Sequence, residues 1–287
     1  MLSEAQINEF REQGVVVIPA AFSAAQLQPL RDDLDNWVEE SRQYDAPFGE
    51  MQDGRPRFDV QPGHSADKPA LRRIASPEEI SDRYLDVLYQ GPLVEAVADL
   101  LGPNLRFHHA KLNSKLPHSG TVVNWHQDFT FDPHSNDDCI SAMLFLDDVT
   151  SQNGPLRIVP GSHREALHSL WHNGQFTGAV DERVAAECEQ RAVECTGVAG
   201  SLCLMHTRCL HGSSENLSES PRSLYIATLT AADAICLTPL AVPSIHSGKL
   251  VYGKEPGRIR SIDFDMEIPQ IPSGASFFNQ QENTAEN

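Results

Sequence analysis

From residue 104 onward the chain breaks into short β-rich segments separated by turn signals, and this texture limits the possible folds more than any other feature. The segments are "LRFHHAKLN" (105–113), "TVVNWHQ" (121–127), "CISAMLFL" (139–146), "LRIVP" (156–160), "RAVECTGV" (191–198), "SLCLMH" (201–206) and "RSLYIATLT" (222–230). Many short strands with Gly/Pro turns point to a sandwich, jelly roll or barrel. Helices precede them: Ser3 with Gln6 and Ser23 with Gln26 each fit a capping box, on either side of a short strand "GVVVIP" (14–19). Residues 42–76, rich in Pro, Gly and charge, read as a long irregular excursion, and residues 77–101 as a helix stopped by Gly102 and Pro103. The expected class is α+β with a mainly β core: a helical part over 1–103, a β core over about 104–235, one domain over 1–270, and a polar tail over 271–287.

Inside the β-rich half, "NWHQDFTF" (124–131) sets His126 and Asp128 two positions apart. In an extended segment they share a face, and a bare imidazole and carboxylate facing inward are costly to bury. They are paired with each other or hold a metal, and this stretch alone leaves both open. A third donor is available at His211, in "RCLHGSSENLSESPR" (208–222), and Arg222 follows eleven residues later. Two histidines and one carboxylate with open positions suit non-haem Fe(II) oxygenases. A nearby guanidinium suits the distal carboxylate of a bidentate co-substrate.

The formal charge of −18 argues against nucleic acid or an anionic membrane as partner. Six cysteines show no paired spacing and read as reduced thiols. The start "MLSEAQINEF" lacks a signal-peptide pattern, so the expected location is the cytoplasm.

The set "WHQD" (125–128), "VPGSHR" (159–164), "HGSSEN" (211–216) and Arg222 resembles the phytanoyl-CoA dioxygenase family of iron(II)- and 2-oxoglutarate-dependent oxygenases, which includes the ectoine hydroxylases. The resemblance runs from "FREQGVVVIPAAFS" (10–23) to about residue 230. It implies a double-stranded β-helix, a cupin-like jelly roll with helices outside. It implies that His126, Asp128 and His211 are the iron ligands and catalytic centre, and that Arg222 holds the 2-oxoglutarate C5 carboxylate. Asn113, Ser141 and Ser213 match further contacts to that co-substrate, and Arg72 or Arg73 a basic position near it. Met143 departs from the pattern, since several members carry tryptophan there.

By alternation, Lys111 and His109 share a face with Asn113 and are candidate substrate contacts; Gln127, Phe129, Phe131 and Met143 are candidates for the cleft wall. His163, His168 and His172 read as a surface helix, and His206 as core or pocket wall. The implied activity is oxidation, typically hydroxylation, of an unactivated C–H bond of a small metabolite with Fe(II), 2-oxoglutarate and O2, releasing succinate and CO2. A substrate with a single carboxylate suits this charge balance better than a CoA thioester. The stretch 42–76 and the chain after 240 are the expected lids. A zinc hydrolase using the same ligands, or a non-catalytic binding protein of the same fold, are the alternatives.

Overall fold

The structure, a computed structural model, describes residues 2–271 and Gln281; the predicted polar tail lies almost wholly outside them. Along the chain come α1 (Glu4–Gln13), β1 (Val15–Ile18), α2 (Ala24–Ser41), β2 (Phe58–Val60), β3 (Leu71–Ala75), α3 (Asp82–Tyr89) and α4 (Pro92–Leu101). There follow β4 (Leu105–Lys115), β5 (Val123–His126), β6 (Cys139–Phe145), β7 (Leu156–Ile158), β8 (Trp171–His172), β9 (Gln175–Phe176) and α5 (Glu182–Arg191). The last are β10 (Val193–Cys195), β11 (Leu202–His206), β12 (His211–Ser213), β13 (Arg222–Ala231) and β14 (Leu250–Tyr252).

Both capping boxes form, with Ser3 and Ser23 accepting from the backbone N–H of Gln6 and Gln26. The predicted helix over 77–101 is broken: a 3-10 turn at Pro77–Glu79 leads into α3, and Gly91–Pro92 separates α3 from α4.

Two antiparallel sheets make the core. The large one runs β1-β11-β6-β13-β4-β3-β2, with β14 also on β4; the smaller runs β10-β7-β12-β5. From β4 to β13 the chain passes between them, β5, β7, β10 and β12 in one and β4, β6, β11 and β13 in the other. Strand periodicity sorts the apolar residues into two layers. Ala142, Leu144, Leu112, Tyr225 and Ala227 pack outward against Trp37 of α2 and Leu93, Val94 and Val97 of α4. Met143, Phe145, Leu224, Ile226, Cys203 and Met205 pack inward against Ile158 and Leu156 of the other sheet. Each such large side chain stabilises by about 1.5–3 kcal/mol on burial.

The predicted irregular stretch 42–76 is partly ordered strand: β2 and β3 extend the large sheet beside β4. Composition hid them because their charges are buried in pairs, Arg72 with Asp59 at 2.8 Å and Arg57 with Glu79 at 2.5 Å. Residue 103 is therefore no boundary between helices and strands. Among the described residues, no helix is long and apolar enough to cross a membrane.

Candidate metal and co-substrate site

His126 is the last residue of β5 and His211 the first of β12, and the two face each other in register. The chain then tightens into a 3-10 turn beginning at Asp128. The predicted shared face of a strand is thus replaced by a turn that brings the carboxylate beneath both imidazoles. His126 Nε2 lies 3.5 Å and His211 Nε2 3.6 Å from Asp128 Oδ1, and the imidazole centroids are 4.1 Å apart.

The tautomers follow from the partners. His126 Nδ1 is 2.8 Å from the carbonyl of Asn124, and His211 Nδ1 is 3.0 Å from that of Cys209. A carbonyl only accepts, so each Nδ1 donates to its carbonyl and each Nε2 is aimed at Asp128. Ser141 Oγ donates to Asp128 Oδ2 at 2.8 Å, fixing the carboxylate from the opposite side. Burial acts to raise the Asp128 pKa, but His211, His126 and Lys111 outweigh it and hold the carboxyl well below its ordinary range. Burial, then repulsion from His126, brings His211 down to about 4. One carboxylate and two imidazoles that present Nε2 are a donor set suited to a divalent metal ion, and these three residues are spaced to hold one.

Registers across β6, β13 and β4 arrange the inner face of the large sheet in layers about 7 Å apart. Ser141, Thr228 and His109 form the first; Met143, Ile226 and Lys111 the second; Phe145, Leu224 and Asn113 the third. Arg222 and Lys115 close the far end. The cavity lining includes His126, Asp128, His211, Lys111, Asn113, Ser141, Met143, Ser213, Lys115 and Arg222.

Arg222 Nε and Nη2 both donate to the carbonyl of Gly154, at 3.0 and 2.5 Å. Gly154 has φ +75°, and a Cβ there would stand 2.6 Å from the carbonyl oxygen of Ser214, so this clamp requires glycine. Burial lowers the Arg222 pKa to about 10, with Asp147 opposing. Lys115 donates to Ser213 Oγ at 2.7 Å and to the carbonyl of Ser214. Burial, then repulsion from Arg222, lowers its pKa to about 6. Among the described residues no carboxylate forms an ion pair with Lys111, Lys115 or Arg222. Asn113 Oδ1 is buried without a hydrogen-bond partner.

Several expectations are revised. Gln127 is fully buried and spent on backbone, donating to the carbonyl of Arg208 at 2.8 Å and accepting from the N–H of His168 at 2.9 Å, so it is a brace and not a cleft residue. Phe129 is core, edge-on to Phe264 at 5.2 Å. Phe131 does pack at the centre, edge-on to His126 at 5.6 Å. Ser141 and Ser213 line the cavity, but their hydroxyls serve Asp128 and Lys115. Arg72 is ion-paired with Asp59, while Arg73 pairs in register with Asn113. His163 to His172 form no helix: a 3-10 turn is followed by β8, and His172 Nε2 lies 2.8 Å from the carbonyl of Ala179. His206 stacks on Phe10 in the core, away from the triad. Lys115 was missed, although the alternation that selects 111 and 113 continues to 115.

Three comparisons bear on this geometry. The phytanoyl-CoA dioxygenase family pattern matches residues 10–224. A probable alpha-ketoglutarate-dependent hypophosphite dioxygenase of Stutzerimonas stutzeri is 27% identical over 94% of this chain and 92% of its own length. The ectoine dioxygenase of Halomonas elongata is 30% identical over 84% of this chain and 73% of its own length. The crystal structure of EctD from S. alaskensis with 2-oxoglutarate and 5-hydroxyectoine superposes with a TM-score of 0.63 at 26% identity, covering 80% of this chain and 77% of that one. With three quarters of its length matched, the chain belongs to the phytanoyl-CoA dioxygenase family.

Proposed function

We propose that the protein is an Fe(II)- and 2-oxoglutarate-dependent dioxygenase that hydroxylates, or otherwise oxidises, a C–H bond of a small metabolite. The observation that carries this is the pairing of a three-ligand metal cluster with buried, carboxylate-free cations at the other end of the same cavity. A hydrolytic zinc centre would leave Arg222 and Lys115 unexplained. We read the alternation of strands between two sheets as a double-stranded β-helix, residues 1–270 as one domain, and the cytoplasm as its location.

His126, Asp128 and His211 would hold the iron on one side, leaving its remaining positions free. Iron, with 2-oxoglutarate and O2, supplies the oxidising chemistry when bound. Arg222 would hold the C5 carboxylate of the co-substrate, with Lys115 beside it and Asn113 offering its amide midway. Lys111 belongs to the layer between the triad and Arg222. This makes it a neighbour of the co-substrate's negative charge, not the substrate contact beyond the metal that alternation suggested. His109 lies one layer further toward the opposite end. Met143, where tryptophan is common in the family, leaves more room in the Lys111 layer.

The relatives named for hypophosphite, ectoine and L-proline share small, polar substrates, which supports a small polar metabolite here. The net charge of −18 supports the absence of nucleic-acid or anionic-membrane partners. The test is succinate release from 2-oxoglutarate by Fe(II)-loaded protein across a metabolite panel, beside ester and amide hydrolysis by Zn(II)-loaded protein. Metabolite-stimulated succinate with iron is expected. Hydrolysis with zinc, and no succinate under any condition, would reject the reading.

A further inference from the structure

A second donor cluster lies on the opposite side of the Ser141–Thr228–His109 layer from Lys111. At the irregularity between Thr228 and Leu229, β13 pairs Thr228 with His109 and Leu229 with Phe107, so His108 is an extra residue on β4. A β-bulge re-aims side chains, and here it turns two consecutive imidazoles toward one carboxylate, which strict alternation would forbid. His108 Nε2 lies 3.5 Å from Asp132 Oδ1 and His109 Nδ1 3.9 Å from Asp132 Oδ2. These gaps are long for hydrogen bonds, and both nitrogens are buried without a hydrogen-bond partner. They resemble the 3.5 and 3.6 Å edges of the triad. A tetrahedral zinc ion with bonds of about 2.0–2.1 Å separates its ligands by roughly 3.3–3.4 Å.

The other flank adds donors of the same kind. The His134 ring centroid is 4.6 Å from that of His108, and its Nδ1 is 2.8 Å from the carbonyl of Asp132, which leaves Nε2 free. Cys236 bridges to His134 across an isolated antiparallel pair. Donor atoms of His108, His134 and Cys236 lie within 4.8 Å of one another, and so do those of His108, His109 and Asp132. Both groups contain His108, which puts its ring at the centre of the cluster. A cavity of about 680 Å³ lined by His108, His134 and Cys236 offers a route in.

We propose that His108, with Asp132 and His109 on one side and His134 and Cys236 on the other, forms a second metal site that takes a zinc ion. Imidazole, thiolate and a single carboxylate favour Zn²⁺ over Mg²⁺ or Ca²⁺. Burial lowers the pKa of His134 to about 4 and of His109 well below its ordinary value, so neutral imidazoles are available at physiological pH. His109 Nε2 also lies 3.5 Å from Thr228 Oγ1, itself 3.4 Å from Ser141 Oγ. An ion here would therefore fix the wall next to the serine that holds Asp128. The site does not depend on the iron assignment.

The test is zinc titration of metal-free full-length protein, by equilibrium dialysis with elemental analysis. His211→Ala serves as the variant lacking the first centre. Wild type is expected to bind two equivalents and His211→Ala one. The double variant His211→Ala/His108→Ala is expected to bind none, and X-ray absorption of the zinc in His211→Ala should show nitrogen and sulfur neighbours. His134→Gln and Cys236→Ser, each tested on the His211→Ala background, should weaken the remaining equivalent at least tenfold. Thermal unfolding of every variant separates lost folding from a lost ligand. A folded His211→Ala that binds no zinc, or a folded double variant that keeps its zinc, would overturn the proposal.

Discussion

The inner face of β4 carries two ends of opposite character. At one end His108 and His109 converge on Asp132; at the other Lys115 stands beside Arg222 with no carboxylate to pair with. The triad lies between them, tied to the first layer through Ser141. Burial of polar groups without partners is expensive, so each end suits a ligand: a cation the histidine–aspartate end, an anion the lysine–arginine end. A net charge of −18 hides this, because it averages over a surface that does not enter the cavity. The comparison teaches that local imbalance, and not overall charge, shows what this cavity receives.

The largest effect is expected at the centre joining the two ends. Asp128→Ala removes the only carboxylate of the triad and the acceptor of the Ser141 hydroxyl. Iron content of the reconstituted variant should fall to background, and 2-oxoglutarate turnover with it. Retention of a full iron equivalent would mean that the ends do not meet at this centre.

At the cationic end, Arg222→Leu should raise the KM for 2-oxoglutarate with iron content near that of wild type. Losing a charge-assisted contact of this kind costs on the order of 2–5 kcal/mol. Unchanged 2-oxoglutarate affinity would break the reading of this end as an anion site. A smaller effect is expected from Ser141→Ala, which frees one carboxylate oxygen and keeps His126, Asp128 and His211. Loss of such an outer-shell contact typically weakens metal binding 10–100-fold. An unchanged iron dissociation constant would show that the turn alone orients Asp128.

Much of this was legible because it depends on period and spacing. Six of the seven segments named over 104–230 contain one strand each, close to its observed bounds. The seventh, 191–198, holds β10 behind the end of α5, and β12, only three residues long, fell between two of the named segments. The triad followed from two short motifs. What escaped was long-range pairing. β2 and β3 look like loop because Arg57, Asp59 and Arg72 are charged, and only their partners make burial tolerable. Alternation from Asn113 selected Lys111 and His109 but left out His108, because a bulge changes parity without leaving a mark in composition. Gln127 and Phe129 flank the motif, yet the turn at Asp128 directs them into the core.

The smallest expected effect separates two cations that the cavity treats differently. Arg222, lowered to about 10, stays charged at neutral pH, whereas Lys115, lowered to about 6, is largely neutral there in the free protein. A carboxylate arriving beside Lys115 favours its charged form and raises its pKa toward the ordinary lysine value of about 10.4. Binding of 2-oxoglutarate above the free-protein pKa must then take up a proton. Affinity is highest below that pKa and falls as pH rises through the window between the free and bound values. His211 does not contribute, since its pKa of about 4 lies below the window. Anaerobic calorimetry between about pH 6.5 and 8.5, in two buffers of different ionisation enthalpy, reads the uptake directly. Wild type should take up a fraction of a proton per 2-oxoglutarate and lose affinity toward the alkaline side; Lys115→Met should do neither. Equal profiles for the two proteins would mean that Lys115 is only a strut for Ser213 and the carbonyl of Ser214, and that Arg222 alone meets the anion.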